Sequence, residues 1–114
     1  MALGEDQETF SLNIAKLLGY ADMLGYGCRL GEVERTEYQQ KEYLRTGRSK
    51  TMKSLHLDKL AADIHFTKNK KLIDNKAALE PIGSYWESLH KNNRWGGNFT
   101  TLVDCPHFEM RKSE

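Results

Sequence analysis

The chain has 114 residues, with 17 lysines and arginines against 16 aspartates and glutamates and a formal net charge of +1. This length predicts one domain over residues 1–114, with any active site built into a single core. Because the charge is balanced and no apolar stretch approaches the roughly 20 residues that span a bilayer, we expect neither nucleic-acid binding nor membrane insertion.

The N-terminal segment carries Glu5, Asp6 and Glu8, where a secretory signal needs positive charge followed by an apolar core. We therefore expect the protein to be made and folded in a cytoplasm. The two cysteines, Cys28 and Cys105, are too few for a disulfide framework, so we expect both thiols to be reduced.

Apolar residues at helical spacing predict a first helix over roughly residues 10–25, with Gly25 and Gly27 as stop signals. Residues 28–33 follow, with alternating apolar positions that are typical of a short strand.

Thr36 and Gln39 have the spacing of a capping box, which predicts a second helix over residues 37–45. Gly47 is its expected terminator, and the polar, basic residues 47–53 are expected to form an exposed loop.

A short apolar run over residues 61–66 predicts a buried strand, although Asp63 and His65 lie within it. A charged turn then leads to residues 72–73, which are expected to pair back along this strand as a hairpin.

Helical spacing recurs near residue 85, and Pro81 is expected in the first turn of this third helix. Residues 92–98 have turn chemistry, and a last strand is expected over residues 107–110. Short strands interspersed with helices predict an α+β fold with a small antiparallel sheet and flanking helices. The residues that carry the helical spacing are Ile82, Tyr85, Trp86 and Leu89.

Two polar side chains occupy positions where a core is normally apolar, namely Asp63 and His107. A buried carboxylate needs a metal or a counter-charge, and His56 can reach Asp63 if the chain turns just before the strand. Two histidines and one aspartate are the ligand set of a catalytic zinc site with an open position. From spacing alone the evidence for a metal is weak, and local pairing of Asp63 with His56 and His107 as ordinary half-buried imidazoles stays open.

Three segments taken together resemble the zinc peptidases that cut bacterial cell-wall peptides. Residues 54–63 resemble the motif Ser-x-His-x-x-Gly-x-Ala-x-Asp, and residues 104–107 resemble Asp/Glu-x-x-His. Residues 33–36 with Gln39 resemble the arginine segment of the same family. This family comprises D-alanyl-D-alanine carboxypeptidases and phage L-alanyl-D-glutamate endopeptidases, and the resemblance implies the Hedgehog/D,D-peptidase fold.

The resemblance also implies a role for each matching residue. His56, Asp63 and His107 would be the zinc ligands, and Asp104 would be the general base. Arg35 would face the scissile carbonyl, where a charge that cannot titrate away stabilises the oxyanion.

Two residues are candidate substrate contacts. The resemblance implies this role for Ser54, whereas Trp95, beside a glycine pair, could form a wall of the groove or simply pack in the core. One departure from the family motif is Lys59, which replaces a glycine at a turn where backbone freedom matters.

Alternative interpretations stay open for several neighbours of these residues. His65 shares a strand face with Asp63 and is a possible competing ligand, Cys105 is a possible thiolate ligand, and Glu109 could orient His107. A basic stretch could favour acidic wall polymers, or could simply be a solvated face; it comprises Lys41, Arg45, Arg48, Lys50 and Lys53.

The resemblance implies a monomeric phage endolysin that accumulates in the host cytoplasm, cuts the L-alanyl-D-glutamate bond of the peptidoglycan stem peptide and uses Zn²⁺. A D,D-carboxypeptidase acting on terminal D-Ala-D-Ala is the nearest alternative. A non-catalytic wall-binding or virion protein that retains the fold is a second alternative from another functional class.

Overall fold

A computed structural model describes residues 2–49 and 51–113. Within these residues the chain forms three helices and five strands, with helices and strands interspersed. The helices are α1 (Leu3–Met23), α2 (Glu37–Arg45) and α3 (Lys76–Ser88), and two 3₁₀ turns cover Leu55–Asp58 and Gly96–Asn98. The strands are β1 (Gly27–Leu30), β2 (Ala61–Lys68), β3 (Lys71–Ile73), β4 (Asn93–Trp95) and β5 (His107–Met110).

The long strand β2 organises the sheet, whose order is β1-β2-β5-β4 with β3 also paired to β2. All of these pairings are antiparallel. The second half of β2 pairs with β1 and β3, while its first half, Ala61 to Asp63, pairs with β5. This arrangement confirms the predicted α+β class and its small antiparallel sheet.

Aromatic rings connect the helices to the sheet in the core. The Trp86 ring of α3 meets Phe10 of α1 at 5.6 Å and Phe108 of β5 at 5.9 Å, both edge to face. Its indole Nε1 donates to the Glu109 carbonyl at 3.0 Å, so the buried polar group is satisfied. No helix of residues 2–49 and 51–113 is long and apolar enough to cross a membrane.

Helix α1 begins at Leu3, seven residues before its predicted start, and ends at Met23. Its first turns are mostly polar, so apolar spacing could not reveal them. They are held from the other end of the chain, because the buried Asp6 carboxylate accepts hydrogen bonds from the backbone N–H, at 2.9 Å, and the hydroxyl of Ser113.

Helix α2 confirms the predicted capping box at its start and the predicted glycine after its end. The Thr36 hydroxyl accepts from the Gln39 N–H at 3.1 Å, and the Gln39 side chain accepts from the Thr36 N–H at 3.0 Å. Gly47 follows the helix with a left-handed φ of 83°. The predicted strand over residues 28–33 is shorter than expected, because regular pairing ends at Leu30.

Helix α3 contradicts the prediction for Pro81, which lies inside the helix rather than in its first turn. The helix begins five residues earlier because the Asn75 side chain accepts from the N–H groups of Ala77 and Ala78. Part of the expected turn over residues 92–98 is in fact β4, which pairs with β5.

Close packing at Gly83 gives a testable prediction about stability. A Cβ atom at Gly83 would overlap the buried Trp95 ring, so we expect Gly83→Ala to lower the free energy of unfolding by about 2 kcal/mol or more. Gly19→Ala is the matched control, because no heavy atom lies within 4 Å of the added methyl group in α1. Urea unfolding of both variants measures the difference, and equal midpoints would contradict this packing.

Candidate active site

Three side chains converge on one point between β2, β5 and the first 3₁₀ turn. His56 Nε2 lies 3.4 Å from Asp63 Oδ1, and His107 Nδ1 lies 3.7 Å from the same oxygen. One ligand atom from each residue lies within 4.8 Å of the others, which is close enough to hold a single metal ion. The structure thus brings together the three residues that the sequence predicted as ligands.

A tight turn delivers His56 to this point. The Ser54 hydroxyl caps the 3₁₀ turn by accepting from the His56 N–H at 3.2 Å. The turn ends at Lys59, whose φ of 57° and ψ of 34° are left-handed. The residue that replaces the motif glycine therefore has the backbone conformation that glycine adopts without strain, and the ligand positions are kept despite the substitution.

Antiparallel pairing delivers the other two ligands, because Asp63 of β2 lies directly opposite His107 of β5. The Glu109 carboxylate accepts from His107 Nε2 at 2.7 Å. This bond orients the imidazole and leaves Nδ1 facing Asp63.

His56 is held in the complementary way. Its Nδ1 donates to the Val33 carbonyl at 2.8 Å, which leaves Nε2 facing Asp63 and His107. His56 is 1% exposed, and its Nε2 has no hydrogen-bond partner among the described residues. A buried ring nitrogen without a partner, aimed at a carboxylate and a second imidazole, fits a metal ligand.

The close approach of Asp63 and the two histidines shifts the pKa values of Asp63 and His107. Burial opposes the charge on Asp63, but the imidazoles of His107 and His56 outweigh it and hold the pKa of Asp63 well below its usual range. Burial also opposes protonation of His107, but the carboxylates of Asp63 and Glu109 raise the pKa of His107 to about 9. Without a metal, a proton on His107 therefore balances the negative charge of the site.

The raised pKa of His107 predicts how the stability of the metal-free protein depends on pH. The folded state keeps a proton that the unfolded state releases near pH 6.5. The corresponding stabilisation is fully present below pH 6.5 and is lost as the pH rises through about 9. Urea unfolding of chelator-treated protein across this range should show the decline, and His107→Gln should not; parallel curves would contradict the assignment.

Asp104 lies beside the ligand group without belonging to it. Its Oδ2 is 3.9 Å from His107 Nδ1, and its side chain is 44% exposed. Burial raises the pKa of Asp104, which makes its carboxylate a stronger base. Gly96 fixes the loop, because its carbonyl accepts from the Asp104 N–H at 2.9 Å and a Cβ at Gly96 would overlap the Asp104 carbonyl.

Backbone hydrogen bonds bring Arg35 to the same place. Beyond β1, the Gly31 N–H donates to the Asp63 carbonyl at 2.7 Å, and the Arg35 N–H donates to the His56 carbonyl at 3.0 Å. The segment of residues 31–35 therefore runs along both ligand-bearing elements.

The Arg35 guanidinium is held by side chains that the sequence did not indicate. Glu32 Oε1 accepts from its Nε at 2.5 Å, and the Gln40 carbonyl oxygen accepts from its Nη1 at 2.7 Å. Gln40 is fully buried and its Nε2 donates to the Ser49 hydroxyl at 2.9 Å, so it connects Arg35 to the following loop. In the sequence Gln40 is only one polar residue among several in α2, and nothing marks it as buried until the fold is known.

A cavity of about 820 Å³ opens over the site and is lined by Arg35, Ser54, His56, Asp104 and His107, among others. The Ser54 hydroxyl accepts from Arg35 Nη1 at 3.3 Å as well as capping the 3₁₀ turn, so it positions both neighbours.

Trp95 also borders the cavity, but it has no exposed surface, and its Nε1 donates to the Cys105 carbonyl at 2.8 Å. Its ring therefore packs behind the cavity wall, and of the two interpretations left open for Trp95 the structure favours core packing.

The structure distinguishes between the residues near the site whose roles the sequence left open. His65 is exposed and lies outside the ligand group. Both cysteines are free, as predicted, and burial raises the pKa of the Cys105 thiol, which disfavours a thiolate ligand. Lys50 of the basic stretch lies outside the described residues.

A small antiparallel sheet that carries a His/Asp/His group beside an open cavity, with an arginine and a second aspartate close by, defines a metallopeptidase-type site. The chain belongs to the D-alanyl-D-alanine carboxypeptidase family, whose model matches residues 47–110. Members of this family are metal-dependent peptidases.

Two relatives make the comparison more specific. An L-alanyl-D-glutamate peptidase from Listeria phage A118 is 32% identical over 97 residues, which are 83% of this chain and 34% of that protein. The chain thus spans about a third of the length of this relative. The crystal structure of the Serratia marcescens L-Ala D-Glu endopeptidase ChiX matches with a TM-score of 0.70 and 22% identity, over 95% of this chain and 85% of that one. This match confirms the predicted fold.

Proposed function

We propose that the chain is a zinc-dependent peptidoglycan peptidase that hydrolyses the L-alanyl-D-glutamate bond of the stem peptide. The observation that carries the proposal is the convergence of His56, Asp63 and His107 on one point, beside a cavity that Asp104 and Arg35 also line. The phage peptidase and the bacterial endopeptidase that resemble this chain are both named for that bond.

Zinc is the metal that suits this donor set best. Two imidazole nitrogens and one carboxylate form a three-ligand site with a position left for water, as in catalytic zinc sites. When bound, zinc lowers the pKa of water and polarises a carbonyl.

The surrounding side chains supply the remaining chemistry. Asp104 accepts the proton of the attacking water and returns it to the leaving amine, since its carboxylate lies beside the site and its pKa is raised by burial. Arg35 stabilises the negative charge that develops on the scissile carbonyl oxygen. Because Glu32 and Gln40 fix the guanidinium in advance, little reorganisation is needed during the reaction.

The family description favours a second candidate, a D,D-carboxypeptidase that releases terminal D-alanine. Mass spectrometry of a synthetic pentapeptide ending in D-Ala-D-Ala separates the two activities. The endopeptidase separates L-alanine from a fragment that begins with D-glutamate, whereas the carboxypeptidase releases one D-alanine. Neither product would contradict both candidates and favour a wall-binding protein without turnover.

We infer that the protein acts as a monomeric phage endolysin, made in the host cytoplasm and acting on the cell wall at lysis. Its phage relative supports this setting. The substrate is then the peptidoglycan stem peptide, and no nucleic-acid partner is required.

A further inference from the structure

Two arginines that line the cavity contact the same aromatic ring. The Arg35 Cζ lies 4.6 Å from the centroid of the Tyr43 ring, and the Arg48 Cζ lies 4.2 Å from the same centroid. The two guanidinium carbons are therefore within about 9 Å of each other, the sum of these distances. The Tyr43 hydroxyl donates to Glu32 Oε2 at 3.1 Å, which fixes the ring that both cations contact.

The two charges differ in their partners. Glu32 neutralises Arg35 at 2.5 Å, whereas no carboxylate of the described residues forms an ion pair with Arg48. Lys53 also lines the cavity, is exposed and has no ion pair within the described part of the chain. The cavity wall next to Arg35 is therefore cationic, and its arginine is held in place by an aromatic face.

Three carboxylates line the cavity in the described part of the chain, Glu87, Asp104 and Glu109, and none of them forms an ion pair with Arg48 or Lys53. Glu87 accepts from the Trp95 backbone N–H at 3.0 Å, and Glu109 accepts from His107 at 2.7 Å. An anionic group on the substrate is thus the natural partner for Arg48.

The proposed substrate has such a group. A glutamyl residue carries two carboxyl groups, and where one continues the peptide the other remains a free anion. In an L-alanyl-D-glutamate unit this anion lies one residue from the scissile carbonyl, and an extended residue spans about 3.5 Å. An N–H···O hydrogen bond adds about 2.9 Å at each end of this span, so a carbonyl at Arg35 and a carboxylate at Arg48 fit on one bound substrate.

We propose that Arg48 binds the free carboxylate of the D-glutamyl residue and thereby selects substrates in which this group is not amidated. The inference rests on the proposed function. A guanidinium stacked on an aromatic ring keeps its N–H edge free, and that edge matches a carboxylate with two parallel hydrogen bonds.

The test compares two synthetic stem peptides that differ in one group, the free glutamyl carboxylate or its carboxamide. We expect the wild-type protein to cleave the carboxylate peptide with a kcat/KM about tenfold above that of the carboxamide. Arg48→Gln should lose about tenfold on the carboxylate peptide, mainly through KM, and change little on the carboxamide. Arg48→Glu should reverse the preference.

Two further variants serve as controls. Arg45→Gln removes an exposed arginine that pairs with Glu42 and does not line the cavity, so it should keep wild-type kinetics on both peptides. Arg111→Gln removes another arginine that lines the cavity. It measures how much of the preference comes from the overall positive charge of the cavity rather than from Arg48 itself. Melting curves and metal content confirm that each variant is folded and loaded.

The outcomes distinguish this inference from the function on which it rests. A wild-type protein that cleaves neither peptide overturns the proposed function and, with it, the role of Arg48. Cleavage of both peptides with equal kcat/KM overturns only the role of Arg48. The same holds if Arg48→Gln lowers both rates equally, or if Arg111→Gln abolishes the preference as strongly.

Discussion

Asp104→Asn is expected to lower peptide hydrolysis about a hundredfold or more while the protein still binds one zinc ion per chain. The amide has the size of the carboxylate but cannot accept the proton of the attacking water. Asp104 lies 3.9 Å from His107 and is not one of the converging ligands, so metal binding does not depend on it. Steady-state kinetics and metal analysis on the same preparation measure the two effects separately.

Asp22→Asn provides the control for Asp104, because this aspartate is exposed near the end of α1 and does not line the cavity. It should keep wild-type activity and metal content. Full activity of Asp104→Asn would show that another group accepts the proton, and loss of its zinc would show that Asp104 holds the metal.

His56→Ala and His107→Ala are each expected to abolish both metal binding and hydrolysis. In the proposed site three side chains would hold the ion, so removing one imidazole leaves an incomplete ligand set. The two nitrogens face Asp63 from different elements, and neither can replace the other. Metal content after gel filtration and activity with added zinc measure the loss.

His65→Ala is the matched control, since His65 belongs to the same strand as Asp63 but is exposed. It should retain zinc and activity, which also tests the alternative that His65 competes as a ligand. A His56 variant that kept stoichiometric zinc would contradict the assigned ligand set. Far-UV circular dichroism excludes unfolding as the cause of the loss.

The convergence of the candidate ligands was predictable because local patterns fix their positions. His56 and Asp63 are joined by one tight turn and the start of a strand, and the apolar run around Asp63 already indicated burial. The last strand was predicted with its observed bounds, His107–Met110. The motif order then implied that this strand brings His107 to Asp63, and the sheet register confirms it.

Errors in the predicted elements arose where a long-range contact decides the structure. Apolar spacing could not reveal the first turns of α1, which are tied to Ser113 at the other end of the chain. Pro81 indicated a helix start, but the Asn75 cap begins α3 earlier and the helix tolerates an exposed proline. Trp95 was ambiguous until the fold placed Gly83 against its ring.

The support of Arg35 was not predictable from the sequence. Glu32 and Gln40 are ordinary polar residues in the sequence, and only the fold turns α2 so that Gln40 is buried against the guanidinium. The same holds for Arg48, which sequence analysis placed in a basic stretch and the structure places over Tyr43 in the cavity wall.

The most direct test of the account is a zinc titration of chelator-treated protein, with hydrolysis of an L-alanyl-D-glutamate peptide recorded at each step. We predict no hydrolysis by the metal-free protein and a linear rise that levels off at one zinc ion per chain. Full activity without metal, or stoichiometric zinc uptake with no hydrolysis of the peptide, would contradict it.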